Sequence, residues 1–193
     1  LALYEYYNDI GESEKAFENL EEAFGSSDVN IDAKVGILLA LIDYSDKDEE
    51  IKNEVYELLE IMSKTHPKDA KTWAIYGDFL NINNQKEKAR TMFLKSIEID
   101  SSRYQVWNQV LFIDSELNDQ PAIEKHAAQC KELFPNQVLP HYFLGVAALQ
   151  KEDFPTAITE LEQAKNLAYG MKELEVQITG NLGDAYYQSG NYQ

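Results

Sequence analysis

WAIYGDFLNINNQKEKARTMFLKSIEIDSS, residues 73–102, contains two successive helical periods. Trp73, Tyr76, Gly77 and Leu80 recur at i, i+3 and i+4 spacing, and Ala89, Met92, Phe93, Ser96 and Ile97 do so again. Small and large residues alternate on these apolar faces. A glycine inside a helix costs about 1 kcal/mol against alanine, so Gly77 calls for a packing reason. Two helices approaching closely across it supply one.

The pattern repeats. Trp73 and Trp107 are 34 residues apart, and another 34 reaches His141 in HYFLGVAAL, residues 141–149, where Leu144-Gly145 matches Tyr76-Gly77. Pro121 and Pro155 keep the same spacing, as do Ala89, Ile123 and Ala157, while Pro67 and Pro135 lie twice 34 apart with Ser101 midway. Different residue types sharing one period make an internal repeat of two helices per unit. Asp69, Asp119 and Asp153 sit where helix N-caps are expected. Pro121 and Pro155 then fall in a first helical turn, where a missing N–H is harmless.

Residues 73–102 resemble the tetratricopeptide repeat (TPR) family through Trp73, Tyr76-Gly77, Leu80, Ala89, Phe93 and Ser96, with Ser101 where that family usually has proline. Residues 104–137 keep Trp107, Cys130 and Pro135 but place Leu111 at a small position and Asp114 at a large one. Residues 138–175 keep Leu144, Gly145, Ala148, Ala157, Leu161 and Ala164 and run four residues long. Residues 31–69 keep Val55, Leu59, Met62 and Pro67, with an insertion from Ser45 to Glu50. Tyr7, Ala16, Leu20 and Ala23 fit a unit in progress at Leu1, and residues 176–193, ending NLGDAYYQSGNYQ, fit the first helix of another. The resemblance implies an all-α fold, a right-handed α-solenoid of antiparallel helix pairs. It forms a single solenoid over residues 1–193, with units at 1–30, 31–69, 70–103, 104–137, 138–175 and 176–193, the first and last partial. A partial unit at each end is the expected form of a piece of a longer array, with Ile178, Leu182 and Tyr186 left uncovered.

Composition limits the function. Of 193 residues 44% are hydrophobic, enough for a sizeable core, and the formal charge is −17. Seventeen acidic and four basic side chains fall in residues 1–60 alone. Such a surface repels phosphate backbones, so nucleic acid is not an expected partner. The longest apolar run, Val35 to Ile42, has the length of a buried helix, and no membrane insertion is expected. No initiator Met or leader pattern marks Leu1, so the natural N-terminus is expected to lie upstream.

No catalytic signature accompanies the repeats. The glycines are isolated at repeat positions, without a phosphate loop, dinucleotide fingerprint or nucleophile elbow. His126 and Cys130 share a metal-compatible i, i+4 spacing but lack further ligands, so Cys130 reads as a packing residue and His126 as a surface or interface neighbour. Asp43, Asp46, Asp48, Glu49 and Glu50 lack an EF-hand's glycine and alternating oxygens; they read as a solvated loop whose acids open the next helix. No metal, cofactor or enzymatic activity is expected.

If the fold is a TPR solenoid, the resemblance implies a non-catalytic scaffold whose concave face is lined by the first helix of each pair. The family pattern puts Lys71, Ala74, Asp78 and Asn81 there, then Gln105, Asn108, Phe112 and Ser115, then Leu139, Tyr142, Val146 and Leu149, and last Gln177, Gly180, Asp184 and Tyr187. Chaperone-tail clamps of the family use basic and asparagine residues, and only Lys71 and Asn108 are compatible with one. Phe112, Tyr142, Val146 and Leu149 form an apolar strip expected to hold a protein or peptide segment with apolar anchors and some basic character. The alternative is that Phe112 and Tyr142 pack between helices because Leu111 and Asp114 shift the register. Two other functions stay open: a helical accessory or regulatory domain of a larger enzyme or sensor, and a homo-oligomerisation module that self-associates through its terminal helices.

Overall fold

A computed structural model describes residue 7, residues 10–45 and residues 48–190. Asp46, the opening residues and the Asn191-Tyr192 end therefore lie outside the described residues. Among those described there are ten helices and no strand, and 80% are helical. The helices group into two compact units that divide between Ser101 and Ser102.

The first unit contains α1 (Ser13–Gly25), α2 (Ile31–Ser45), α3 (Glu49–Thr65), α4 (Ala70–Ile82) and α5 (Lys86–Ile99). Helix α1 buries Ala16, Leu20 and Phe24, one stripe at i+4 spacing. The insertion before α3 ends on Asp48, whose carboxylate accepts from the amides of Glu50 and Ile51, so the acids open a helix as expected. Asp69 caps α4 by accepting from the Lys71 amide at 2.9 Å. A Cβ placed on Gly77 would lie 2.7 Å from the ring of Phe93, closer than carbon atoms pack. Helices α4 and α5 can therefore meet at this distance only across a glycine.

The second unit contains α6 (Tyr104–Glu116), α7 (Gln120–Leu133), α8 (Val138–Gln150), α9 (Phe154–Leu167) and α10 (Lys172–Gln188). Each helix packs on the next, and α6 packs on α8 and α8 on α10, so the first helices of successive pairs are also neighbours. Asp119 and Asp153 cap α7 and α9, with Pro121 and Pro155 in the first turns. Gly145 repeats the geometry of Gly77, its virtual Cβ lying 2.6 Å from Leu161.

The backbone keeps the 34-residue period as well. Asn84, Asn118 and Glu152 all have left-handed φ, at 56°, 53° and 60°. The amides that follow, of Gln85, Asp119 and Asp153, each bond a carbonyl five residues back, at 2.9, 3.0 and 2.9 Å. A left-handed residue thus ends the first helix and aims the second. Gly190, at φ 75°, takes this place after the pair that runs four residues long.

The unit with the altered pattern has exchanged its volumes between helices. Leu111 stands where Gly77 and Gly145 stand, and Ala127 where Phe93 and Leu161 stand; both are fully buried. Asp114, at an apolar position, is also fully buried and accepts from Nδ1 of His126 at 2.6 Å. Of the surface or interface place expected for His126, the surface one is excluded by its burial: a buried carboxylate needs a donor, and this ring supplies one.

Helix α10 departs from expectation in two ways. Ile178 and Leu182 are buried against α8 and α9, and Tyr186 is half-buried with its hydroxyl donating to Glu162 at 2.6 Å. The stripe expected to be bare packs backward on the preceding pair. The outer stripe is the open one, with Val176 and Tyr187 exposed and open space at Gly183.

Candidate functional site

In the second unit, α6, α8 and α10 present the face expected to bind. Phe112 on α6 is 48% exposed and stands edge-on to Phe143 of α8, ring centroids 5.6 Å apart at 86°. Such edge-to-face pairs contribute about 0.5–1.5 kcal/mol beyond area burial, so Phe112 is held by a rigid neighbour while its outer face stays open. Tyr142 is half-buried between α8 and α10, its hydroxyl 3.4 Å from Nδ2 of Asn181. Val146 and Leu149 are likewise half-buried against the α8–α10 core. The two readings of the strip therefore divide by residue. Phe112 projects, whereas Tyr142, Val146 and Leu149 give much of their surface to helix packing and offer only edges.

The polar residues of this face differ in freedom. Gln105 and Asp184 are exposed. Asn108 is half-buried, hydrogen-bonds Tyr104, and has an Oδ1 shielded from solvent without a hydrogen-bond partner. Burial, followed by Cys130, pushes the Tyr104 phenol up to about 12.

The remaining candidates lie along α4 of the first unit. Lys71 is engaged with the Asp32 carboxylate of α2. Asn81 accepts from the Lys86 ammonium at 2.9 Å. Burial pushes the Asp78 carboxyl up to about 6, which marks a carboxylate that its surroundings do not compensate.

Sequence reasoning missed a set of polar anchors at one repeat position, the fourth residue of the first helix. Trp73 Nε1 donates to the Pro67 carbonyl at 2.9 Å, and His141 Nε2 to the Pro135 carbonyl at 3.0 Å, each six residues upstream. Lys34 holds that place in α2 and is fully buried, its ammonium donating to the carbonyls of Phe24 at 2.8 Å and Ser26 at 2.7 Å and to Nε2 of His66 at 2.7 Å. The signal was present in the series Trp73, Trp107, His141: an N–H donor on a large side chain. On its other side His141 meets Glu160 at 2.7 Å, which Lys131 also meets at 2.7 Å. Burial opposes ionisation of Glu160, but these two donors outweigh it and hold the carboxyl below its ordinary range.

Cys130 is fully buried, and desolvation pushes its thiol up to about 12, so no thiolate forms near neutrality. Among the described residues no cluster of three His, Cys, Asp or Glu side chains could hold a metal ion. Nor is any described helix long and apolar enough to cross a membrane.

The chain's likeness to known proteins accords with this geometry. Residues 9–157 match the Suppressor of forked protein (Suf) family. No curated protein matches. Among solved structures, YrrB, a TPR protein with an unusual peptide-binding site, superposes with a TM-score of 0.69 at 11% identity, over 91% of this chain and 84% of YrrB. MamA of Desulfovibrio magneticus RS-1 gives 0.64 at 14% identity, over 82% and 87%. PilF of Pseudomonas aeruginosa gives 0.61 at 16%, over 90% and 72%. At these identities the likeness establishes the fold, the all-α helical-repeat class of TPR proteins, to which the Suf family is akin. With three quarters of its sequence matched and its helix pairs in TPR form, the chain belongs to the Suppressor of forked (Suf) family.

Proposed function

We propose that this chain is a non-catalytic scaffold that binds an extended protein or peptide segment along the face formed by the first helices of its pairs. One observation carries the reading: Phe112 is half-exposed yet braced by Phe143, an aromatic anchor that loses little freedom when a partner covers it. The edges of Tyr142, Val146 and Leu149 extend the apolar surface, and Asp184 adds an exposed carboxylate. On the first unit, taken by itself, Lys71, Asp78 and Asn81 are proposed as partner-binding residues of α4. A partner with an apolar anchor and a basic side chain suits these groups. The peptide-binding site of YrrB, a structural neighbour, is in keeping with this use of the fold.

The test is selection from a random peptide library displayed against the chain. Selected peptides should share an apolar anchor, and Phe112→Ala should weaken their binding about tenfold or more with the helical spectrum unchanged. Equal affinity for the variant would remove Phe112 from the site.

A second reading is favoured by α10, whose open stripe carries exposed Val176 and Tyr187. A second copy packing there would make the chain a self-association module. Sedimentation should then show a dimer that Val176→Glu dissociates; a monomer at all concentrations would exclude it.

A further inference from the structure

We propose a second docking surface on the first unit: an apolar groove among α1, α2 and α3 that takes a Lys/Arg-rich amphipathic helix of another protein. The inference does not rest on Phe112 or on the face it occupies.

The groove is a cavity of about 460 Å³. Its floor is apolar, formed by Ala16 and Phe17 of α1, Leu41 of α2 and Ile51 of α3, with Tyr44 standing 64% exposed at its mouth. Through Phe17, Glu50 and Glu54 it continues into a cleft of about 570 Å³ between α1 and α3. Either volume suits several apolar side chains, within the range of ordinary binding pockets. Among the described residues, every charged side chain on the walls is a carboxylate: Glu14 and Glu18 from one side, Glu49, Glu50, Glu54 and Glu57 from the other, with Asp48 at the groove end. Two described lysines offset a part of this charge: Lys52 is 3.5 Å from Glu49, and Lys15 pairs with Glu12 outside the cleft while also attracting Glu18. Burial, then Glu50, Asp48 and Glu57, push the Glu54 carboxyl up, as crowding of like charge requires.

A cavity of about 660 Å³ beside α7 and α9 shows the contrast. Two of its three lysines are already matched, Lys151 at 2.6 Å from Glu124 and Lys131 at 2.7 Å from Glu160. In the groove of the first unit the described lysines meet only part of the negative charge, and a partner can bring the rest. Nucleic acid and anionic lipid are repelled by seven carboxylates. A second copy brings its own net −17. The carboxylates are too dispersed for a metal, since no described trio can share one. Lysine and arginine, with long stems, reach dispersed acids while neighbouring apolar residues fill the floor. A helix with leucine or phenylalanine at i, i+3, i+4 and i+7 and basic residues elsewhere presents both at once.

The probe is a synthetic peptide of that design, compared with a shuffled peptide of equal composition. The designed peptide should bind the chain about tenfold more tightly than the shuffled one and weaken as salt rises from about 50 to about 200 mM. Tyr44→Ala should weaken it, and so should the pair Glu50→Gln, Glu57→Gln, by about tenfold each. The pair Glu132→Gln, Glu173→Gln, which removes equal charge elsewhere, should not. Neutralising crowded acids relieves repulsion, so these variants keep their fold, to be checked by melting. A photoreactive group at the peptide's anchor should label α1 or α3, and Phe112→Ala should leave binding unchanged. No binding, equal binding of the shuffled peptide, an equal effect of the remote pair, or loss of binding in Phe112→Ala would each overturn the proposal.

Discussion

Lys34 is the residue whose role the sequence hides best. Its position reads as the apolar start of a helix, yet its ammonium has three donors and the fold gives it three acceptors, two of them carbonyls at the end of α1. The third, His66 Nε2, must lack a proton to accept. Desolvation lowers the pKa of both groups, and for His66 the neighbouring ammonium lowers it further. For a base held below its ordinary value, the unfolded chain takes the proton first as pH falls. Stability linked to His66 is therefore complete above its unfolded value of about 6.5 and is lost below it. Asp78 works in the opposite sense: raised to about 6, it is protonated first in the folded chain, so acidification through that range favours folding. Because the two overlap, variants must be compared rather than the wild-type curve alone. The stability advantage of wild type over His66→Gln should shrink as pH falls from about 7 to about 5. Asp78→Asn should be more stable than wild type above about pH 6 and equal to it near pH 4. Urea midpoints across pH measure both; parallel curves would show that neither group is shifted.

At the scale of the helix, the sequence was legible where one residue type had one geometric solution. Gly77 and Gly145 could be read because only a missing Cβ admits Phe93 and Leu161 so closely. The caps Asp69, Asp119 and Asp153 could be read because carboxylates before a helix satisfy its first amides. What could not be read were solutions involving two residues at once. Leu111 looks like a defect until Ala127 is seen to have given up the same volume, and Asp114 until His126 is seen to pair with it. For α10, which carries two apolar stripes, periodicity alone could not say which one faces inward. Of the binding strip, only Phe112 was placed where its exposure could be anticipated; the coupling of Tyr142, Val146 and Leu149 to α10 depends on how closely the first helices pack. Two substitutions probe this scale with opposite signs. Gly77→Leu should cost roughly 1–3 kcal/mol, because the buried Phe93 ring has nowhere to go. Glu152→Asn should gain about 0.5–1 kcal/mol, because asparagine tolerates the left-handed conformation already used at Asn84 and Asn118. Thermal melts that leave both unchanged would deny the shared geometry of the pairs.

Charge acts at the scale of the whole molecule. The formal charge of −17 is not spread evenly, and the described ion pairs engage only some of the acids, such as Asp32 with Lys71, Glu124 with Lys151 and Glu160 with Lys131. Exposed pairs of this kind contribute about 0–1 kcal/mol each and are weakened by salt. Repulsion among the unpaired carboxylates opposes the compact state, and salt weakens that as well. The two effects have opposite signs, and the count of acids decides between them: 34 acidic against 17 basic side chains leave many carboxylates with no cation to lose. Raising sodium chloride from about 20 to about 500 mM, which shortens the screening length severalfold, should therefore raise the melting temperature by a few degrees. The gain should be smaller in Glu50→Gln, Glu57→Gln, where part of the crowding around Glu54 has been removed. A melting temperature that falls with salt would mean that the ion pairs outweigh the repulsion, and the acidic groove of the first unit would then lack the uncompensated charge on which its partner depends.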